Sequence, residues 1–142
     1  MSIKALLATR AKLQSFAPLN AFWQSRYQRP AKHIVGYKKP VNANDYPAIC
    51  YVPINSSRPD SVGGMAKEII SLVVGINEPE ITNDVFDGVS QLAIIEGLIF
   101  DCLEAGDLGV NAMYLGQAKT TGDLSTRHPF HELEITFLAA SR

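Results

Sequence analysis

The sequence predicts an α+β domain: a mostly antiparallel β-sheet packed with an N-terminal helix and one long central helix. Three observations predict it. Apolar residues alternate with period two in two segments, Ile70-Leu72-Val74-Ile76 and Leu133-Ile135-Phe137. A stretch from about Val85 to Glu104 repeats its apolar residues at helical spacing. The first sixteen residues carry a second, shorter helical pattern. At 142 residues, with 46% apolar residues, the chain is expected to form one globular domain over residues 1–142.

Within residues 2–16, Ile3, Leu6, Leu7, Leu13 and Phe16 fit one helix face. Pro18 interrupts, and Leu19, Phe22, Trp23 and Tyr27 continue at helical spacing as a short second helix, with a strand as the weaker alternative, and Pro30 ends it. His33 to Lys39 forms a short strand, and the turn-rich segment from Pro40 to Pro47 follows. Ala48 to Ile54 reads as a strand buried on both faces, with Pro53 placing its end at a sheet edge or exit. Asn55 to Gly64 is a long polar loop. Residues 65–77 form a strand, expected to be central.

Asn83, Asp84 and Asp87 are the expected N-caps of the long helix, whose buried face takes Val89, Leu92, Ala93, Ile99, Cys102 and Leu103. Gly106 is the natural C-cap. Val110 to Gln117 forms a strand, with Met113 and Leu115 opposite Ala112 and Tyr114. Ala118 to Phe130 is a second long polar loop. His131 to Ala139 closes the series, with Glu132, Glu134 and Thr136 on the face away from the core.

Thirteen basic residues face fourteen acidic ones. That balance argues against a dedicated nucleic-acid or anionic-membrane binder. No apolar stretch approaches the ~20 residues that cross a bilayer. The N-terminal helix, broken by Lys4 and Arg10, is not a signal peptide, so synthesis and folding in a cytoplasm are expected. Cys50 and Cys102 sit in apolar runs and read as buried, reduced thiols outside any Cys/His cluster.

Residues for catalysis are sparse. The chain has no phosphate-binding or dinucleotide-binding glycine motif and no GxSxG elbow. His128-Pro-Phe-His131-Glu132 offers two imidazoles and a carboxylate, the types that bind a metal or move protons. Pro129 breaks a helix there, and on an extended chain His128 and His131 point to opposite sides, so a structural role is expected. Arg26, Arg29, Lys32, His33, Lys38 and Lys39, interleaved with Trp23, Tyr27 and Tyr37, read as a solvated face whose aromatics serve the core. The alternative is contact with DNA phosphates. Asp123 reads as a turn residue, and Arg58 in the Ser56–Asp60 loop as a solvated side chain or a partner for a neighbour's carboxylate.

Three segments carry a resemblance: Pro40-Val-Asn-Ala-Asn-Asp-Tyr-Pro-Ala-Ile-Cys-Tyr-Val-Pro53; the block Lys67 to Ala105 with its Val-Gly-Ile break before an acidic linker; and Thr120-Thr-Gly-Asp-Leu leading through His128-Pro-Phe-His-Glu into an alternating strand ending at Phe137. A polar loop passing through His-Pro-Phe into a terminal strand resembles bacteriophage tail terminator proteins, also called tail completion or minor tail proteins. The resemblance spans most of residues 40–139.

That resemblance implies a non-enzymatic virion protein of the tail neck, made in the bacterial host cytoplasm. It implies a self-assembled ring, commonly of six subunits, on the head-proximal end of the tail tube. The ring ends tube polymerisation and presents a docking surface to the head–tail connector. DNA only passes through it, and no cofactor, metal or membrane is involved. A head-to-tail ring needs two different complementary surfaces per subunit. Two long polar loops and an edge strand with one charged face are expected to supply them, with Arg58, Asp60, Lys119, Asp123 and Arg127 as the interface charges. The alternatives are another neck or head-completion protein, a small metal-dependent hydrolase using His128 and His131, and a nucleic-acid-binding module using residues 26–39.

Overall fold

The computed structural model describes residues 1–37, 42–59, 63–122 and 127–142. Its first helix, α1 (Lys4–Gln14), is followed by α2 (Ala17–Tyr27), with Pro18 in the first turn, where its missing N–H leaves no bond unmade. Gln28 adopts a left-handed conformation (φ 55) that stops α2 before Pro30. Leu6, Leu13, Leu19 and Trp23 are fully buried. Leu7, placed by its spacing on the core face of α1, is exposed, and Ala5 and Thr9 take that face instead.

The main sheet has strands β1 (Lys32–Val35), β2 (Ala48–Ser57), β3 (Ala66–Asn77), β6 (Asp107–Gly109), β7 (Ala112–Thr121) and β8 (Phe130–Ser141), in the order β1-β2-β3-β8-β7-β6. A separate hairpin, β4 (Ile81–Thr82) with β5 (Val85–Phe86), stands between β3 and the long helix α3 (Asp87–Leu103). Every pairing is antiparallel except β1 with β2. Parallel neighbours need a long connection. Here it is the turn-rich stretch from Gly36 to Pro47, which includes a 3₁₀ turn at Ala43–Asp45 closed by a reciprocal Asn42/Asp45 cap.

The alternating strands behave as their patterns demand. Ile70, Leu72, Val74 and Ile76 of β3 and Leu133, Ile135 and Phe137 of β8 point to one face, where α1 and α3 cover them. β3 is central, as expected. β2 is buried on both faces from Ala48 to Tyr51, and Pro53 falls where β1 no longer pairs with it, so the missing N–H breaks no ladder bond. Both cysteines are buried.

Several boundaries differ from expectation. β2 and β3 extend the hairpin to the pair Ser57↔Lys67, and β7 continues to Thr121, so both polar loops are shorter than the composition suggests. The short strand β1 ends at Val35, and Lys38 and Lys39 lie outside the described residues. β8, with one charged face, is not an edge strand: β3 and β7 flank it. Asn83 and Asp84 do not cap α3. They form the turn of the β4–β5 hairpin, with φ of 51 and 63, the positive values a two-residue hairpin turn requires. α3 starts after Phe86 with no side-chain cap. Its core face takes Ile95, while Val89 and Ala93 are exposed.

Candidate interaction surfaces

Of the five charges expected at an interface, the structure describes three. Arg58 is exposed just beyond β2, and Lys119 is exposed on β7 opposite Thr136. Arg127 is half-buried, its Nη1 2.8 Å from Glu132 Oε1, which commits it within the chain. Asp60 and Asp123 lie outside the described residues. Arg58 and Arg127 sit at opposite ends of the sheet: one follows Ser57, which pairs with Lys67, and the other precedes Phe130, which pairs with Asn77. These residues therefore do not form one patch.

The sheet leaves two edges open. Among the described residues β1 pairs with β2 only from Ala48 to Tyr51, which leaves β2 without a strand on that side from Val52 to Ser57. β6 pairs with Ala112 and Met113 of β7, and among the described residues no strand pairs with that side of β7 beyond them, apart from a bond from Tyr114 N–H to the Gly106 carbonyl. Open edges present unpaired backbone donors and acceptors to a partner. On the helix-free face of the sheet, Met113 and Leu115 are exposed, as their alternation with Ala112 and Tyr114 predicts.

At one end of the sheet lies a cleft of about 850 Å³ lined by Ile3, Lys4, Ile54, Arg58, Ala66 and Arg142, among others. Beneath it Glu68, only 2% exposed, fastens α1 to the sheet. One carboxylate oxygen accepts the Ala5 N–H at 2.8 Å and the Ser2 and Ser141 hydroxyls at 3.2 Å; the other accepts the Leu6 N–H at 3.2 Å. A helix N-terminus leaves N–H groups without partners, and this buried acid serves two of them from across the fold.

At the opposite end the β4–β5 hairpin stands clear, with Ile81 53% and Val85 48% exposed. Its base is firmly held. Arg26 of α2 makes two bonds to Glu78, at 2.8 and 3.0 Å, and reaches Asp87 at 3.4 Å. The hydrogen bonds to Glu78 hold the guanidinium in its charged form. Phe86 packs against both His128 and His131, with ring centroids 5.0 and 6.0 Å away.

The two histidines meet, contrary to the extended-chain expectation. A turn closed by the Phe130 N–H on the Arg127 carbonyl folds the segment back, bringing His128 Nδ1 to 3.1 Å from His131 Nε2. The two nitrogens lie within hydrogen-bond distance, and which of them donates depends on the tautomers of the rings. His131 is fully buried, under Gly88 of α3. Among the described residues, no group of three His, Cys, Asp or Glu side chains is placed to hold a metal ion.

The basic stretch is largely absorbed by the fold. Arg26 is paired as above, Lys32 lies 3.3 Å from Asp45, and Trp23 is in the core. His33 stacks on Tyr51 with Nδ1 2.7 Å from the phenol oxygen. Arg29 and Tyr37 remain exposed. No helix among the described residues is long and apolar enough to cross a membrane.

One signal in the sequence is hidden by the near-zero net charge. Residues 68–118 hold nine Asp or Glu and no Lys or Arg, while residues 1–67 hold ten Lys or Arg and two acids. The fold converts this segregation into geometry. The acidic block carries the β4–β5 hairpin and α3, and the basic block supplies Lys4 and Arg58 to the cleft at the far end.

No protein-family model matches the sequence, and no curated protein matches it significantly. Among solved structures the chain is similar to one from the virion of a native gene transfer agent (GTA) particle. The likeness covers 99% of this chain and 98% of that one, with a TM-score of 0.57 and 14% identity. At that identity the shared property is the fold.

Proposed function

We propose that this protein is a structural virion component that caps the head-proximal end of a tail tube as a ring of subunits, commonly six. It ends tube polymerisation and offers the docking surface for the head–tail connector, while DNA passes through the centre. The observation that carries this reading is the end-to-end fold likeness to a virion chain, which leaves almost no residue of either chain unmatched. The open edges on opposite sides of the sheet support it: they are different surfaces on one subunit, as a head-to-tail ring requires. The mechanism is steric and interfacial, and no covalent bond changes.

The test is length control. Purified protein is added to a polymerising tail tube protein, and the tubes are examined by electron microscopy. The expected result is a cap at one end of each tube and arrested growth there. Tubes that grow to the same length with no end density would overturn the proposal.

A further inference from the structure

We infer that the β4–β5 hairpin of one copy docks into the cleft between α1 and the β2–β3 hairpin of the next copy. This contact rests on the ring reading above and names the two surfaces that join.

The charges are complementary. The described cleft lining contains the side chains of Lys4, Arg58 and Arg142 and no Asp or Glu. The hairpin carries exposed Glu80 and Asp84, and neither makes an ion pair among the described residues. Other surface charges of this chain are committed internally, such as Arg26 to Glu78 and Arg127 to Glu132. Among the described residues neither the hairpin acids nor Lys4 and Arg58 pair with a charged side chain, and Lys4 Nζ donates only to the Arg142 main-chain oxygen, at 3.2 Å.

The apolar surfaces also match. Ile81 and Val85 occupy neighbouring strands of the hairpin and stand about half exposed. The cleft presents Ile54, 55% exposed, with Ile3, Pro59 and Ala66 around it. Its volume of about 850 Å³ lies in the range of sites that take a small ligand or a few side chains, and is far too small for a DNA duplex. A two-residue turn with short flanking strands is an occupant of the right scale.

The occupant must be another copy. Ala66 of β3 lines the cleft, and Asn77 at the other end of the same strand leads directly to the hairpin. Twelve extended residues hold the two features roughly 36 Å apart at about 3.3 Å per residue. The hairpin cannot fold back, because α2 and the His128/His131 pair clamp its base. A projection at one end and a receptor at the other make a heterologous contact, which propagates from copy to copy and closes when the rotation between copies allows.

The experiment uses two full-length variants followed by light scattering at low salt. One, E80K with D84K, has a basic hairpin and a basic cleft. The other, K4E with R58E, has an acidic hairpin and an acidic cleft. All four positions are exposed, so both variants should fold, which circular dichroism checks. Each variant alone should lose self-association, and an equimolar mixture should recover it, because every junction in an alternating assembly then pairs opposite charges. A variant that assembles alone as the parent does, or a mixture that stays monomeric, would overturn the contact. A parent ring indifferent to both reversals overturns the contact and leaves the ring. A parent chain that is monomeric at millimolar concentration overturns both.

Discussion

The carboxylate of Glu68, near one end of β3 on the sheet's core face, accepts the backbone N–H of Ala5 at 2.8 Å and so fixes the first turn of α1. Four donors converge on this one buried acid. Glu68→Ala strands buried N–H and O–H groups, and should lower stability by about 3 kcal/mol. Glu68→Gln keeps an acceptor and should lose about half as much. Urea unfolding of the three proteins checks the order; an alanine variant as stable as the parent would contradict it.

Two glycines of α3 should respond to alanine with opposite signs. At Gly88 an added Cβ would come within 2.3 Å of the His131 ring, which is fully buried and cannot swing away. Gly88→Ala should destabilise by roughly 1–3 kcal/mol despite alanine's better helix propensity. At Gly97 nothing lies within 4 Å, so Gly97→Ala should stabilise by about 0.5–1 kcal/mol. Thermal melts of both variants decide this, and a stabilised Gly88→Ala would mean that His131 does not sit where the structure puts it.

His33 should make the fold acid-sensitive. Burial, and secondarily the charge of Arg10, pushes its pKa down from 6.5 to about 4. The ring's Nδ1 shares a hydrogen bond with the Tyr51 hydroxyl, 2.7 Å away. Above pH 6.5 the imidazole is neutral in both folded and unfolded chains. Between pH 6.5 and 4 the unfolded chain takes up a proton that the folded chain refuses, so stability is full above that window and falls as pH drops through it. The loss should be on the order of 1 kcal/mol, because the ring is only partly buried. His33→Gln should remove that part of the slope in unfolding free energy between pH 7 and 4; an unchanged slope would exclude His33 as its source.

Much of the fold was legible in the sequence because its signals are local. Ile70-Leu72-Val74-Ile76 alternates without interruption, and β3 is the central strand. Pro18 and Pro30 bracket α2. What stayed hidden depends on partners distant in sequence. Asn83 and Asp84 suit a helix cap and a left-handed hairpin turn equally well, and only the pairing of Ile81 with Phe86 decides between them. His128 and His131 meet because of a turn that their spacing does not announce. β8 reads as an edge strand until β7 is known to lie outside it. Of the residues in the proposed contact, loop composition singles out Arg58. The acidic hairpin proposed to face it escapes notice because a whole-chain charge near zero averages over two strongly charged blocks.

A ring that merely surrounds DNA should bind it weakly. With Arg26 and Lys32 held by acids of the same chain, the isolated subunit should show little affinity for duplex DNA at physiological salt. Tight binding that falls steeply with added salt, measured by fluorescence anisotropy, would favour a nucleic-acid-binding module.

The measurement that bears most directly on the assembly account is the mass of the purified protein in solution, by light scattering across a series of concentrations and salts. A closed ring gives a species near six subunits that does not grow further as concentration rises. A monomer at every concentration, or an open-ended series of sizes with no preferred species, would contradict it.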